Sequence, residues 1–146
     1  MALPEFNANG DLPPSVHRAT LTEIIARFGS TSGTRALCTQ RLLHVHALAE
    51  RTGQLDRLVV FGSYITAKPN PNDVDIVLMM FDTFHLEDCT SETRGLFDHA
   101  IAQARYGASI FWVRPSLLLG ESIETFVAYW QVKRDKSNRG IVEVIE

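Results

Sequence analysis

Residues 58–80 read Leu-Val-Val-Phe-Gly-Ser-Tyr-Ile-Thr-Ala-Lys-Pro-Asn-Pro-Asn-Asp-Val-Asp-Ile-Val-Leu-Met-Met. Leu58–Phe61 and Val74–Met80 are short, unbroken apolar runs rich in β-branched residues, the pattern of strands buried on both faces. The link between them is too short for an ordinary right-handed crossover, which needs a dozen or more residues and usually a full helix. The two strands are therefore expected to be antiparallel neighbours. That arrangement brings Gly62 and Ser63, at the end of the first strand, beside Asp73 and Asp75, at the start of the second.

Asp73 and Asp75 are two residues apart, so on a strand they point to one face with Cα atoms about 6.5–7 Å apart. Two negative charges at that separation repel by roughly 2.4 kcal/mol at an effective dielectric near 20. An apolar run such as Val-Asp-Ile-Val-Leu-Met-Met should not carry that repulsion without compensation. A bound divalent cation would supply it.

The remainder of the chain narrows the field. Its 146 residues suit one domain, and 45% hydrophobic with 21% charged residues is the composition of a soluble globular protein. A net charge of −3 gives no global drive toward nucleic acid or anionic membrane. No apolar run approaches a membrane span, and Met1–Asn7 lacks the basic and apolar regions of a secretory signal. Cys38 and Cys89 stand apart without a C-x-x-C spacing, which fits two reduced thiols in a cytoplasmic protein.

Residues 1–18, with Asn9-Gly10-Asp11 and Pro13-Pro14, read as an irregular arm before a single domain over 19–146. Thr20-Leu21-Thr22-Glu23 is a capping box opening a helix over 21–28, and Ser30–Gly33 reads as a linker. Helical spacing predicts further helices over 34–51, 91–105 and 121–131, and strands over 108–113 and 140–145. The expected fold is α+β: a mixed β-sheet flanked by helices, with two N-terminal helices before the sheet.

Phe61-Gly62-Ser63, nine residues, then Asp73-Val74-Asp75-Ile76 resembles the nucleotidyltransferase signature of the polymerase-β superfamily. The chain also resembles a group of small, uncharacterised bacterial nucleotidyltransferase-like proteins. That likeness lies in Asn9–His17, Arg27-Phe28-Gly29, Gly62–Lys68 and Gly140–Glu143. The resemblance implies a nucleotidyltransferase-like sheet and a Mg²⁺-dependent transfer of a nucleoside monophosphate from an NTP to a hydroxyl. The acceptor, on RNA, protein or a small molecule, is not specified. Asp73 and Asp75 would be the catalytic residues and hold the metal, a hard cation that takes carboxylate, water and phosphate oxygens. Gly62 would let the backbone approach the phosphates, Ser63 would offer its N–H and hydroxyl, and Lys68 would meet a phosphate from the spacer.

One departure matters. Active members of the superfamily usually carry a third carboxylate on a later strand, and Ala108–Val113 has none. Asp98, Glu121, Glu124 and Glu143 are the acids that could substitute. A second function therefore stays open: a catalytically silent module that acts by binding, as one half of a toxin–antitoxin or phage-defence pair with a partner protein.

Other motifs fail. The acidic segment lacks the glycine and glutamate of an EF-hand, and Lys68 lacks the glycines of a P-loop. Phe111, Trp112, Phe126, Tyr129 and Trp130 read as core aromatics, with base stacking as the lesser reading. Lys133, Arg134, Lys136 and Arg139 read as a solvated turn, with a local phosphate or RNA patch as its alternative.

Overall fold

Leu55–Phe61 and Val74–Met80 pair antiparallel, with Phe61 opposite Asp75 and Val60 opposite Ile76, as the short link between them requires. The computed structural model describes residues 3–29 and 31–145. Met1 and Ala2 of the expected arm, Ser30 of the expected linker, and Glu146 lie outside the described residues. In chain order the elements are β1 (Val16–Ala19), α1 (Leu21–Phe28), α2 (Gly33–Arg51), β2 (Leu55–Phe61) and β3 (Val74–Met80). They continue with α3 (Ser91–Arg94), α4 (His99–Tyr106), β4 (Ala108–Val113), α5 (Ile123–Tyr129) and β5 (Ile141–Val144). Among the described residues the five strands form one mixed sheet in the order β1-β5-β2-β3-β4. The two outer pairs are parallel and the two inner pairs antiparallel.

The fold is thus α+β with a mixed sheet, but two helices do not precede the sheet. A strand, β1, comes first and α1 follows it, so the stretch expected to be an irregular arm ends in sheet. Val-His-Arg-Ala carries no long apolar run, and among the described residues its only strand partner is β5, far away in the sequence. Local periodicity cannot report a pairing made across that distance. The expected helix over 91–105 is also broken. Gly95–Phe97 tightens into a 3-10 turn, which sends both Leu96 and Phe97 into the core, Phe97 against Phe84 and Trp112. Asp98 then starts α4 by accepting the Ile101 N–H at 3.1 Å.

The capping box at Thr20 forms in both directions and starts α1. One face of the sheet presents Val60, Val74, Ile76, Leu78 and Met80 to α1 and α2, where Phe28, Leu42, Val45 and Leu48 are equally buried. Each such side chain contributes about 1.5–3 kcal/mol of apolar burial. The opposite face is covered more thinly. There Val59, Val77, Met79, Val113 and Ile141 pack beneath α5, through Ile123, Phe126, Val127 and Trp130. A helix of seven residues cannot span that face, and the end carrying Phe61, Asp75 and Ser109 opens into a cavity. Two of the expected core aromatics are instead exposed, Phe111 at 39% and Tyr129 at 63%. Among the described residues no helix is long and apolar enough to cross a membrane.

Candidate functional site

β2 ends at Phe61 because Gly62 takes φ +81° and ψ −164°, a backbone conformation open essentially to glycine alone. The missing side chain has a second consequence. A Cβ built on Gly62 would stand 2.0 Å from an Asp75 carboxylate oxygen, so the acid occupies the space the glycine leaves free. The chain then enters a 3-10 turn, Ser63–Ile65, anchored by the wholly buried Tyr64 and Ile65. The Tyr64 hydroxyl pairs with that of Thr39 at 2.6 Å.

Arg35, buried in α2, holds the outside of this turn. Its guanidinium donates to the carbonyls of Phe28 (3.2 Å), Tyr64 (2.6 Å), Thr66 (2.6 Å) and Lys68 (2.5 Å). A planar fork of donors suits such a set of convergent oxygens, and an ammonium would not reproduce it. Arg35 is a positioning residue that the sequence reading passed over. Lys68 itself is exposed, does not line the cavity, and is tied down through its backbone carbonyl.

Asp75 lies between Phe61 on β2 and Ser109 on β4. Burial, and then the neighbouring charge of Asp73, push its carboxyl up to about 6, against smaller opposing effects of Arg139 and His99. Asp73, just before β3, is half-buried and accepts from the Gln103 side-chain amide at 3.3 Å. The two acids are close enough to couple, and no cation pairs directly with either among the described residues.

None of the four substitute acids lines the cavity. Asp98 caps α4. Glu143 and Glu124 are both bound by Arg57, at 2.9 and 3.1 Å. Glu121 is exposed in the turn before α5. The positions on β4 that flank Asp75 and Val77 are Ser109 and Phe111. An unexpected acid does reach the cavity, Asp135, but its carboxylate is folded back onto the N–H and hydroxyl of Ser137. Those bonds hold its pKa below the usual carboxylate value.

The cavity has a volume of about 610 Å³. Gly62 and Ser63, with Phe61, Asp75, Ser109 and Phe111 from one face of the sheet, form one wall. The other wall is Trp130 with Lys133, Arg134 and Arg139, the segment expected to be a solvated turn. Trp130 packs on Phe61 and Phe111 with ring centroids 4.8 and 5.0 Å apart, and its buried indole N–H has no partner among the described residues. A second cavity, of about 450 Å³, opens at the other end of the sheet. It holds none of the sequence motifs, and its one arginine, Arg51, is paired with Glu92 at 3.1 Å.

The donor set suits a hard cation. Asp75 supplies a carboxylate at the cavity wall and carries the repulsion that a cation would relieve, and the Ser63 hydroxyl makes no hydrogen bond among the described residues. Asp73, expected beside Asp75 on the strand, lies just before β3 and does not line the cavity. Mg²⁺ is ordinarily held by one or two carboxylates, with water and phosphate filling the remaining positions. Among the described residues no group of three or more His, Cys, Asp or Glu could hold a metal by itself. Residues 4–145 match a family described as "Family of unknown function (DUF6932)". No curated protein and no solved structure matches the chain.

Proposed function

The chain belongs to DUF6932, a family of unknown function, and from the geometry of its cavity we propose that it binds a magnesium–nucleotide and transfers the nucleoside monophosphate to a hydroxyl acceptor. One observation carries the reading: Gly62 is held in a glycine-only conformation with the Asp75 carboxylate in the volume of its absent side chain, at the wall of a cavity. The resemblance of Gly62-Ser63 and Asp73-Val74-Asp75 to the polymerase-β superfamily supports it.

In this proposal Asp73 and Asp75 hold Mg²⁺, which when bound neutralises phosphate charge during the displacement. Gly62 admits the Asp75 carboxylate close to the backbone, and the Ser63 hydroxyl is free to donate to the phosphates. Arg35 keeps the 64–68 turn rigid, so these groups meet the ligand already placed. Phe61, Phe111 and Trp130 exclude water from one side of the cavity. The acceptor is a hydroxyl of RNA, protein or a small molecule.

A specific observation favours a second reading. The position on β4 beside Asp75 is Ser109, so the third carboxylate is lacking where the superfamily would place one. A module of this kind would bind magnesium–nucleotide without turnover and act through a partner protein, as in a toxin–antitoxin or phage-defence pair.

Incubation with labelled NTPs and Mg²⁺ separates the two. Label transfer by the wild type, abolished in Asp73→Ala/Asp75→Ala, supports the enzyme. Nucleotide binding that depends on Mg²⁺ and on both acids, with no transfer to any acceptor class, supports the silent module. Nucleotide affinity that is the same with and without Mg²⁺, and unchanged in the double variant, overturns both.

A further inference from the structure

The wall of the cavity facing Gly62 is a hairpin. Val132 and Asn138 bridge, the Lys133 N–H donates to Ser137 at 2.8 Å, and the Arg139 N–H donates to Gln131 at 2.9 Å. Lys133 and Arg139 both pair with Asp11 of the N-terminal arm, at 3.1 and 3.7 Å. Asp11 is only 4% exposed, so a buried carboxylate fixes two cations at the cavity mouth. One negative charge between two positive ones leaves the mouth positive. Arg134 adds to it, because it lines the cavity and makes no hydrogen bond or ion pair among the described residues. Asp135 stays ionised, because its bonds to Ser137 favour the carboxylate, so Asp11 and Asp135 offset two of the three cations and the mouth keeps a single positive excess.

Across the cavity stands Asp75, with Asp73 close enough to raise its pKa. One wall is therefore cationic and the other anionic. A ligand that satisfies both walls presents oxygens to the hairpin and a cation to the carboxylates. A phosphate with its counter-cation has both parts, and phosphate oxygens match the planar donors of arginine.

We propose that the 131–139 hairpin is a phosphate-recognition site in which Arg134 contacts the phosphate and Asp11 positions Lys133 and Arg139 beside it. The proposal deepens the nucleotide reading and rests on it for what carries the phosphate, the nucleotide or the acceptor. Contact with phosphate itself does not depend on that reading.

Titration of the full chain with inorganic triphosphate, followed by calorimetry at about 50 mM and about 200 mM salt, tests this. Wild type is expected to bind, more weakly at the higher salt. Arg134→Gln alters an exposed side chain without partners, so its fold should survive, and it is expected to lose about tenfold or more in affinity. Asp11→Asn is the sharper variant. It makes the mouth more positive, so a mere charge patch would bind tighter, whereas loss of positioning weakens binding. Triphosphate affinity unchanged in Arg134→Gln, or increased in Asp11→Asn, overturns the proposal.

The two readings fail separately. If Mg²⁺-dependent nucleotide binding needs Asp73 and Asp75 but triphosphate binding ignores Arg134, the hairpin proposal falls and the nucleotide reading stands. If triphosphate binding needs Arg134 but nucleotide binding ignores Mg²⁺ and both acids, the nucleotide reading falls and the hairpin proposal stands. Repeating the titration with saturating ATP assigns the phosphate. Displacement by ATP marks the nucleotide's own phosphates, and binding alongside ATP marks the acceptor's.

Discussion

A methyl group on Gly62 would meet the Asp75 carboxylate at 2.0 Å while its backbone held φ at +81°. Gly62→Ala is therefore expected to destabilise the fold by about 3 kcal/mol, from backbone strain and overpacking together, as a lower urea midpoint. Asp75 behaves in the opposite way. Its pKa lies above the 3.8 of an unperturbed aspartate, so folding favours the protonated acid. That contribution is complete below pH 3.8 and is lost as pH rises through about 6. Asp75→Asn should accordingly raise stability at pH 8 by about 1–3 kcal/mol and do little at pH 4. Thermal unfolding at the two pH values reads this directly. The closeness of Gly62 and Asp75 was legible because it follows from the short link between two strands of one segment. Arg35 was not, because its partners are backbone carbonyls, which no side-chain pattern displays.

At the scale of elements, the break between α3 and α4 decides what Asp98 does. Within a continuous helix over 91–105 it would have been one more surface acid, open to recruitment as a third carboxylate. With the helix broken it becomes the cap of α4. Asp98→Ala is expected to cost about 1 kcal/mol of stability and to leave Mg²⁺ binding unchanged, which chemical unfolding and a metal titration report independently. Apolar spacing ran straight through this break, since Leu96, Phe97 and Ile101 keep a helical rhythm. The aromatic contacts of Phe97 with Phe84 and Trp112 prevailed over it. The basic hairpin is exposed at Arg134 and Lys136, as a solvated turn would be, but the place of Lys133, Arg134 and Arg139 at a cavity is not legible until the sheet beneath them is known.

On the scale of the whole molecule, β1 and β5 are neighbours although they lie at opposite ends of the described sequence, and β5 sits inside the sheet between β1 and β2. The arm preceding β1 is fastened to the same region. The Gly140 N–H donates to the Leu12 carbonyl at 2.8 Å, and Leu12 is fully buried. The central antiparallel pair could be inferred from the sequence, because a short link ties β2 to β3. The closure of the arm onto β5 could not, because nothing local announces it. That closure sets the order in which the protein acquires its chemistry. A chain still emerging from the ribosome has Gly62, Asp73 and Asp75 long before it has Lys133, Arg134 and Arg139, and Asp11 waits for both of its cations. Until β5 slides in between β1 and β2, Asp75 stands without the hairpin opposite it, so the cavity takes shape only when the two ends of the described sequence meet.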